Sequence, residues 1–360
     1  MLSPRSPDVV FNQALVEWLT AKGKLGKPTL AAVGEAARRA PLDARAYIFF
    51  GGEDILRRDD ARALQVLEAG RRLDGRQRWI RLLLLDRYLR AKRYGEAANE
   101  FAVLNRLVSG AQAPILAELA RMTQDPATRE AVRQTLLRDP ALEVSLLSTL
   151  AKLNPDPALL LGLASPHARA AARQPDGWGQ ILVQAMVDRG QFGPARATWV
   201  RLYGITPDAA AHPIYDQDFT GLPGMPPFNW NLTAGTIGAA EMRQGQLSIE
   251  YYGRDNGVFA SQLLTLQPGQ YRFGYGLVGG PGTGLSWTLS CAGQPKTPLL
   301  VDSAVPAATA APRRYAVAFT VPPSGCPAQW LNLAGTAAEF PAPVNVTVSA
   351  LRLQRAGAPQ

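Results

Sequence analysis

Apolar positions recur at three- and four-residue steps through the first 205 residues and at two-residue steps afterwards. The first spacing puts apolar side chains on one face of a helix and the second on one face of a strand, so the chain reads as helices followed by strands. Near residue 206 proline and glycine begin to punctuate short runs. Residues 206–214, with Pro207, an alanine run, His212 and Pro213, read as a linker. The expected plan is multidomain α plus β: an α-solenoid of helical hairpins over 1–205, then an antiparallel β-sandwich over 215–356.

The helical half repeats itself. One unit starts at Arg78, turns at 92–95 and resumes through 107, with two aromatic positions at Tyr88 and Tyr94, a small residue at Ala97 and another aromatic at Phe101. A 34-residue step back sets Ala63 under Ala97, Leu67 under Phe101 and Gly51 under Leu85, and Pro41 falls at the end of the preceding unit. The pattern returns over 176–207 with Phe192, Ala195, Trp199 and Pro207. The small residue lets the two helices of a hairpin approach closely, and the aromatic four positions later fills the groove to the next hairpin. Residues 111–175 lose the register. There, Asp125-Pro126, Asp139-Pro140, Pro155 to Pro157 and Ser165-Pro166 mark the starts of shorter helices, with an acidic or hydroxyl cap before the proline.

In the second half, Leu247, Ile249 and Tyr251 share a face, as do Tyr271, Phe273, Tyr275 and Leu277, then Trp287, Leu289 and Cys291, then Tyr315, Val317, Phe319 and Val321. The last run, Val344, Val346 and Val348, changes parity at Leu351 and Leu353, which predicts a β-bulge near Ser349-Ala350. Eight or nine antiparallel strands are expected, enough for two packed sheets.

Charge and cysteine separate the halves further. From residue 206 onward there are eight basic and eight acidic side chains, so the whole net charge of +9 belongs to the first 205 residues. That surplus reads either as a basic surface for an acidic partner or as the solvated face of an arginine-rich array; arginine outnumbers lysine 32 to 6 and alternates with acids. It forms no clustered stripe of the kind nucleic acid requires, so no nucleic-acid partner is expected. Cys291 and Cys326 both fall in the strand half and are either a disulfide or two buried thiols; a disulfide implies an oxidising compartment. No apolar run approaches the ~18 residues of a membrane helix, and residues 1–20 lack the apolar core of a signal peptide. The chain is therefore expected either in the cytosol or at the envelope, with an anchor or signal outside this sequence.

Residues 44–109 and 176–207 resemble tetratricopeptide repeats. The strand half resembles jelly-roll carbohydrate-binding modules through Asp218-Phe219, Phe228-Asn229-Trp230, the 245–251 strand, the 266–271 LQPGQY turn and the 346–353 strand. The combination is similar to envelope-associated repeat proteins of alphaproteobacteria, which are anchored by an N-terminal helix and sometimes linked with exopolysaccharide machinery. The resemblance implies a protein partner on the repeats, a polysaccharide or second partner on the sandwich, and a periplasmic or envelope-associated location.

Candidate chemistry is sparse. His167 and His212 have no cysteine, serine or carboxylate at triad or metal spacing, so no catalytic residue is assigned and no cofactor is expected. The glycine run 279–284 lacks the lysine and the strand-to-helix setting of a phosphate loop and reads as a hairpin loop. Asp216 and Asp218 stand where jelly-roll modules sometimes hold a structural calcium, or else simply start a turn and a strand. Sugar recognition calls for exposed rings beside polar groups. The candidates are Trp230, Tyr252, Trp287 and Trp330, with Arg254, Asp255 and Arg272; the alternating context of Trp287 and Trp330 also fits core packing. A binding scaffold is therefore expected rather than an enzyme, the alternatives being a lectin-like module presented on repeats or a polysaccharide-acting enzyme. The last would need a paired acid and base, which the sandwich does not offer convincingly.

Overall fold

The computed structural model describes residues 6–107, 112–280, 284–293 and 299–356. The chain divides into two compact units, residues 1–149 and 150–360.

The described residues of the first unit form helices and the turns between them. Its helices are α1 (Pro7–Thr20), α2 (Lys27–Arg39), α3 (Arg45–Leu56), α4 (Asp60–Leu73), α5 (Arg78–Arg90), α6 (Tyr94–Leu107), α7 (Gln112–Gln124), α8 (Pro126–Leu136) and most of α9 (Pro140–Leu153). Small residues set the packing. Ala63 and Ala97 are fully buried, with Leu67 and Phe101 one turn on. A β-carbon on Gly51 of α3 would lie 2.6 Å from the Leu67 side chain of α4, and one on Gly70 of α4 equally close to Tyr47 of α3, so this one hairpin closes on a glycine from each helix. Glu100 is buried between α6 and its neighbours and accepts from Arg71 and, at 2.6 Å, from Arg81; two guanidinium groups compensate the one desolvated carboxylate.

The proline starts behave as the sequence predicts. Asp125 caps α8 through the Ala127 N–H, and Asp139 caps α9 through the Leu142 N–H. In the second unit Asp156 caps α10 (Pro157–Leu163), Ser165 caps α11 (Pro166–Ala171) and Thr206 caps α14 (Pro207–Ala211). Each side-chain oxygen satisfies a backbone donor that the first helical turn leaves unpaired. The remaining hairpin is α12 (Trp178–Asp188) with α13 (Phe192–Tyr203).

Among the described residues eleven strands follow, two of them only two residues long. They are β1 (Asn231–Leu232), β2 (Ala234–Gly235), β3 (Gly238–Arg243), β4 (Gln246–Tyr251), β5 (Gly257–Leu264), β6 (Gly269–Gly279), β7 (Leu285–Cys291), β8 (Leu299–Ala304), β9 (Arg313–Val321), β10 (Gln329–Gly335) and β11 (Val344–Arg355). They form two antiparallel sheets, ordered β1-β5-β10-β7-β8 and β2-β3-β4-β11-β6-β9. The alternating sets read from the sequence line the space between them, and Trp287, against Trp230, Phe273 and Tyr275, lies at its centre. The predicted bulge is present: the β11/β6 register shifts between Ser349 and Arg352, with Ala350 at φ +50. It turns Leu351 and Leu353 back to the core that Val344, Val346 and Val348 already face. Cys291 and Cys326 form a disulfide.

The sequence assigns Trp199 to a groove facing another hairpin. Among the described residues no further helical hairpin follows; its ring packs within the second unit against Tyr203, Tyr215 and Phe228. Its Nε1–H donates to the Met225 carbonyl at 2.8 Å. A few residues away the Arg196 guanidinium donates to the Ala210 carbonyl and lies over the Phe228 ring, and burial without a facing carboxylate depresses its pKa. The stretch 206–214 thus lies inside one packed body with α13 and the start of the sandwich.

Burial of tyrosine gives this unit an alkaline limit. Desolvation pushes Tyr203, Tyr215 and Tyr275 up to about 12, whereas in the unfolded chain a tyrosine ionises near 10. Above that pH the unfolded chain loses protons that the folded chain keeps, so stability present below pH 10 falls as the pH rises toward about 12. Urea midpoints taken across that window are expected to drop, together with a delayed rise in tyrosinate absorbance. A constant midpoint with early tyrosinate formation would contradict the burial of these rings.

Candidate glycan-contact site

Tyr252, Arg254 and Asp255 lie on the turn joining β4 to β5, and residues 336–343 join β10 to β11 beside it. The two connections are laced together. The Asn256 side-chain oxygen accepts from the Ala337 N–H at 2.7 Å, and the Gly253 carbonyl accepts from the Ala338 N–H at 3.3 Å. Below them the Tyr251 hydroxyl donates to the Asp255 carbonyl at 3.2 Å. Gly253 takes φ +73, and a β-carbon there would fall 2.7 Å from the Ala342 carbonyl oxygen. Only glycine meets both the left-handed backbone and the close approach.

This lacing builds a hollow of ≈ 550 Å³ at the sandwich end, lined by Tyr252, Arg254, Pro341 and Pro343. Tyr252 is 38% exposed, and Phe340 in the same connection is 83% exposed. Arg254 and Asp255 are both exposed. The arrangement offers flat apolar faces from a ring and two prolines, with a guanidinium beside them to donate hydrogen bonds. Faces and donors of that kind suit the alternating C–H and O–H surfaces of a pyranose. The sequence reading missed Phe340, because it lies in Glu339-Phe340-Pro341-Ala342-Pro343, where no alternation marks a face.

The other ring candidates do not join this hollow. Trp230 is 5% exposed: its Nε1–H donates to the Asp216 carbonyl, and its ring packs against Phe219 and Trp287. Trp287 is fully buried. A ring without an exposed face cannot stack on a sugar, so both leave the contact set and belong to the core. Trp330 is half-buried on β10, opposite Leu263 of β5 and Ser290 of β7. Leu263, its neighbour on that face, is fully buried, and the segment before β1 runs along the edge of β5, where the Leu263 N–H donates to the Pro227 carbonyl. Arg272 is exposed on β6 opposite Gln354, at the other end of β11 from Val344, the partner of Tyr251. Ten residues of strand separate those ends by about 30 Å.

The acidic pair is also reassigned. Asp216 takes φ +49, and its carboxylate accepts from the Thr220 N–H and hydroxyl, the Gly221 N–H and the Leu222 N–H. It organises a loop with its lone pairs already engaged, leaving little for a calcium ion. Asp218 pairs with Arg352 at 2.7 Å. Among the described residues no group of three or more His, Cys, Asp or Glu is placed to hold a metal. His167 and His212 are exposed. In the glycine run, Pro281 to Thr283 lie outside the described residues.

Two further hollows matter for binding. On the outer face of the six-stranded sheet, Glu241, Arg243, Ser248, Glu250, Asn345 and Thr347 border a polar depression of ≈ 260 Å³. Along α12, Asp176, Gln180, Gln184 and Asp188 with Lys152 and Arg189 border a groove of ≈ 560 Å³. Arg189 is pinned there by donation to the Lys152 and Leu153 carbonyls at the end of α9. Among the described residues no helix is long and apolar enough to cross a membrane.

The chain matches no protein-family model and no curated protein sequence. Among solved structures it is similar to the N-terminal cellulose-binding domain of β-1,4-glucanase C from Cellulomonas fimi, at 17% identity over 41% of this chain and 100% of that one, with a TM-score of 0.31. A carbohydrate-binding module, TmCBM61, in complex with β-1,4-galactotriose aligns at 14% identity over 39% of this chain and 91% of that one, TM-score 0.26. The tetratricopeptide-repeat protein YrrB, described as having an unusual peptide-binding site, aligns at 17% identity over 49% of this chain and 93% of that one, TM-score 0.26.

Proposed function

We propose that the protein is a non-catalytic binding scaffold of the cell envelope. Its sandwich takes a polysaccharide at the Tyr252–Arg254 hollow, and its helices take a protein segment along the polar groove of α12. The observation that carries the glycan reading is the hollow itself: an exposed tyrosine, two prolines and a free-standing guanidinium on two loops locked by backbone bonds. Such a preorganised surface loses little freedom when a sugar binds. The Cys291–Cys326 disulfide supports an oxidising compartment, and with it the periplasmic or envelope assignment.

The test is a glycan array on the full chain, followed by titration calorimetry with any oligosaccharide that scores. Tyr252→Ala is expected to weaken binding about tenfold, the equivalent of one stacked ring, at an unchanged melting temperature. Trp330→Ala is expected to leave affinity unchanged. Loss of binding with Trp330→Ala but not with Tyr252→Ala would move the site to the other sheet, and no glycan bound at all would sink the sugar reading.

A further inference from the structure

The two sheets present four edges, and three of them are blunted. β1 and β2 are two residues each, and β8 is six residues long, carries Asp302 and has a register shift against β7. Short strands, charges and irregularities of this kind are how sheets avoid pairing with other chains. The fourth edge, β9, has none of these devices along most of its length. It runs nine residues, Arg-Arg-Tyr-Ala-Val-Ala-Phe-Thr-Val, in unbroken register with β6. After Arg314 it bears no charge, and prolines occur only outside it, at 312 and 322–323. Among the described residues no backbone hydrogen bond reaches its far side; β8 lies near it but belongs to the other sheet. Tyr315 and Val317, although on the inner face and packed against the core, are only half-buried.

We infer that β9 is a self-pairing edge, at which two copies of this chain join antiparallel about a two-fold axis through Val317 and continue the six-stranded sheet from one copy into the other. The strand is complementary to itself in that register. Val317 meets Val317 of the second copy, Tyr315 meets Phe319 and Ala316 meets Ala318, so β-branched, aromatic and small residues each face a suitable partner. Arg313 and Arg314 meet Val321 and Thr320, which keeps the two arginine pairs at opposite ends. A parallel arrangement would set arginine against arginine. The antiparallel register is also the one that uses all nine residues while keeping the inner faces of both sheets on the same side. Burial of the exposed edges of Tyr315 and Val317 adds an apolar contribution to the new backbone bonds.

Sedimentation equilibrium on the full chain tests the inference. The wild type is expected to approach twice the 38.7 kDa chain mass at micromolar concentration. Ala316→Lys with Ala318→Lys alters only exposed outer-face positions and sets lysine against lysine across the axis. That variant is expected to be monomeric, with unchanged circular dichroism and melting temperature. Val317→Cys is expected to form a covalent dimer on a non-reducing gel, whereas Thr320→Cys, which lies about 20 Å from its own copy in this register, is expected to stay monomeric. A monomeric wild type, an open-ended assembly, or a dimer that survives the double lysine change would each overturn the inference.

Discussion

Trp199→Ala is expected to lower the stability of the second unit by about 4 kcal/mol, the scale of a large aromatic truncated in a closed site. The ring loses its contacts with Tyr203, Tyr215 and Phe228, and the Met225 carbonyl loses its donor. Collapse around the gap is hindered because Gly224 already lies against the indole, where a β-carbon would come within 2.5 Å. Trp199→Phe keeps part of the packing and gives up the hydrogen bond, so a smaller loss of about 2 kcal/mol is expected. Hydrogen exchange locates the effect. Amides of α12–α13 and of β5 are expected to exchange faster together, because Tyr215 is tied to β5 through Gln262. Acceleration confined to α13 would show that the hairpin and the sandwich open independently.

Removal of the disulfide is expected to have a similar effect. Cys291 and Cys326 are separated by 35 positions, and freeing a loop of that length raises the entropy of the unfolded chain by the equivalent of about 4 kcal/mol. The bridge holds the end of β7 to the turn before β10. There Gln329 donates to the Cys326 carbonyl and accepts from the Leu266 N–H, and the Ala292 N–H reaches the Ala328 carbonyl. Cys291→Ala with Cys326→Ala is expected to lower the urea midpoint, and a reductant should lower the wild-type midpoint equally while leaving the variant unmoved. A reductant effect that persists in the variant would point to some cause other than this bridge.

Much of this architecture is legible in the chain because local physics decides it. The parity change between Val348 and Leu351 announces the bulge, and each proline after an aspartate or serine announces a capped helix start. The disposition of Trp287 is also legible, since it shares parity with Leu289 and Cys291 and lies between the sheets as they do. Trp230 is harder, because the segment before it has no period, and its burial comes from a loop folded around the Asp216 carboxylate. The role of Trp199 is obscured for another reason. Repeat spacing says that an aromatic there fills a groove, but which element supplies the groove depends on contacts formed after the repeats end. The candidate site divides in the same way. Tyr252 is legible as a ring next to the turn after β4, but its hollow depends on a second connection some 90 residues later in the chain, and no local pattern joins the two.

The fusion of α12 and α13 to the strands has a consequence for synthesis. Trp199 leaves the ribosome before Tyr215, Phe228 and Gly224, and Phe192 leaves about a hundred residues before Gly293, the glycine that rests against it. The first unit holds its own core and can fold as it emerges. In the last hairpin Trp199 and Phe192 meet partners that come later in the chain, so that face stays uncovered until the strands arrive. Nascent chains stalled between residues 205 and 290 are therefore the forms of this protein with most need of a chaperone.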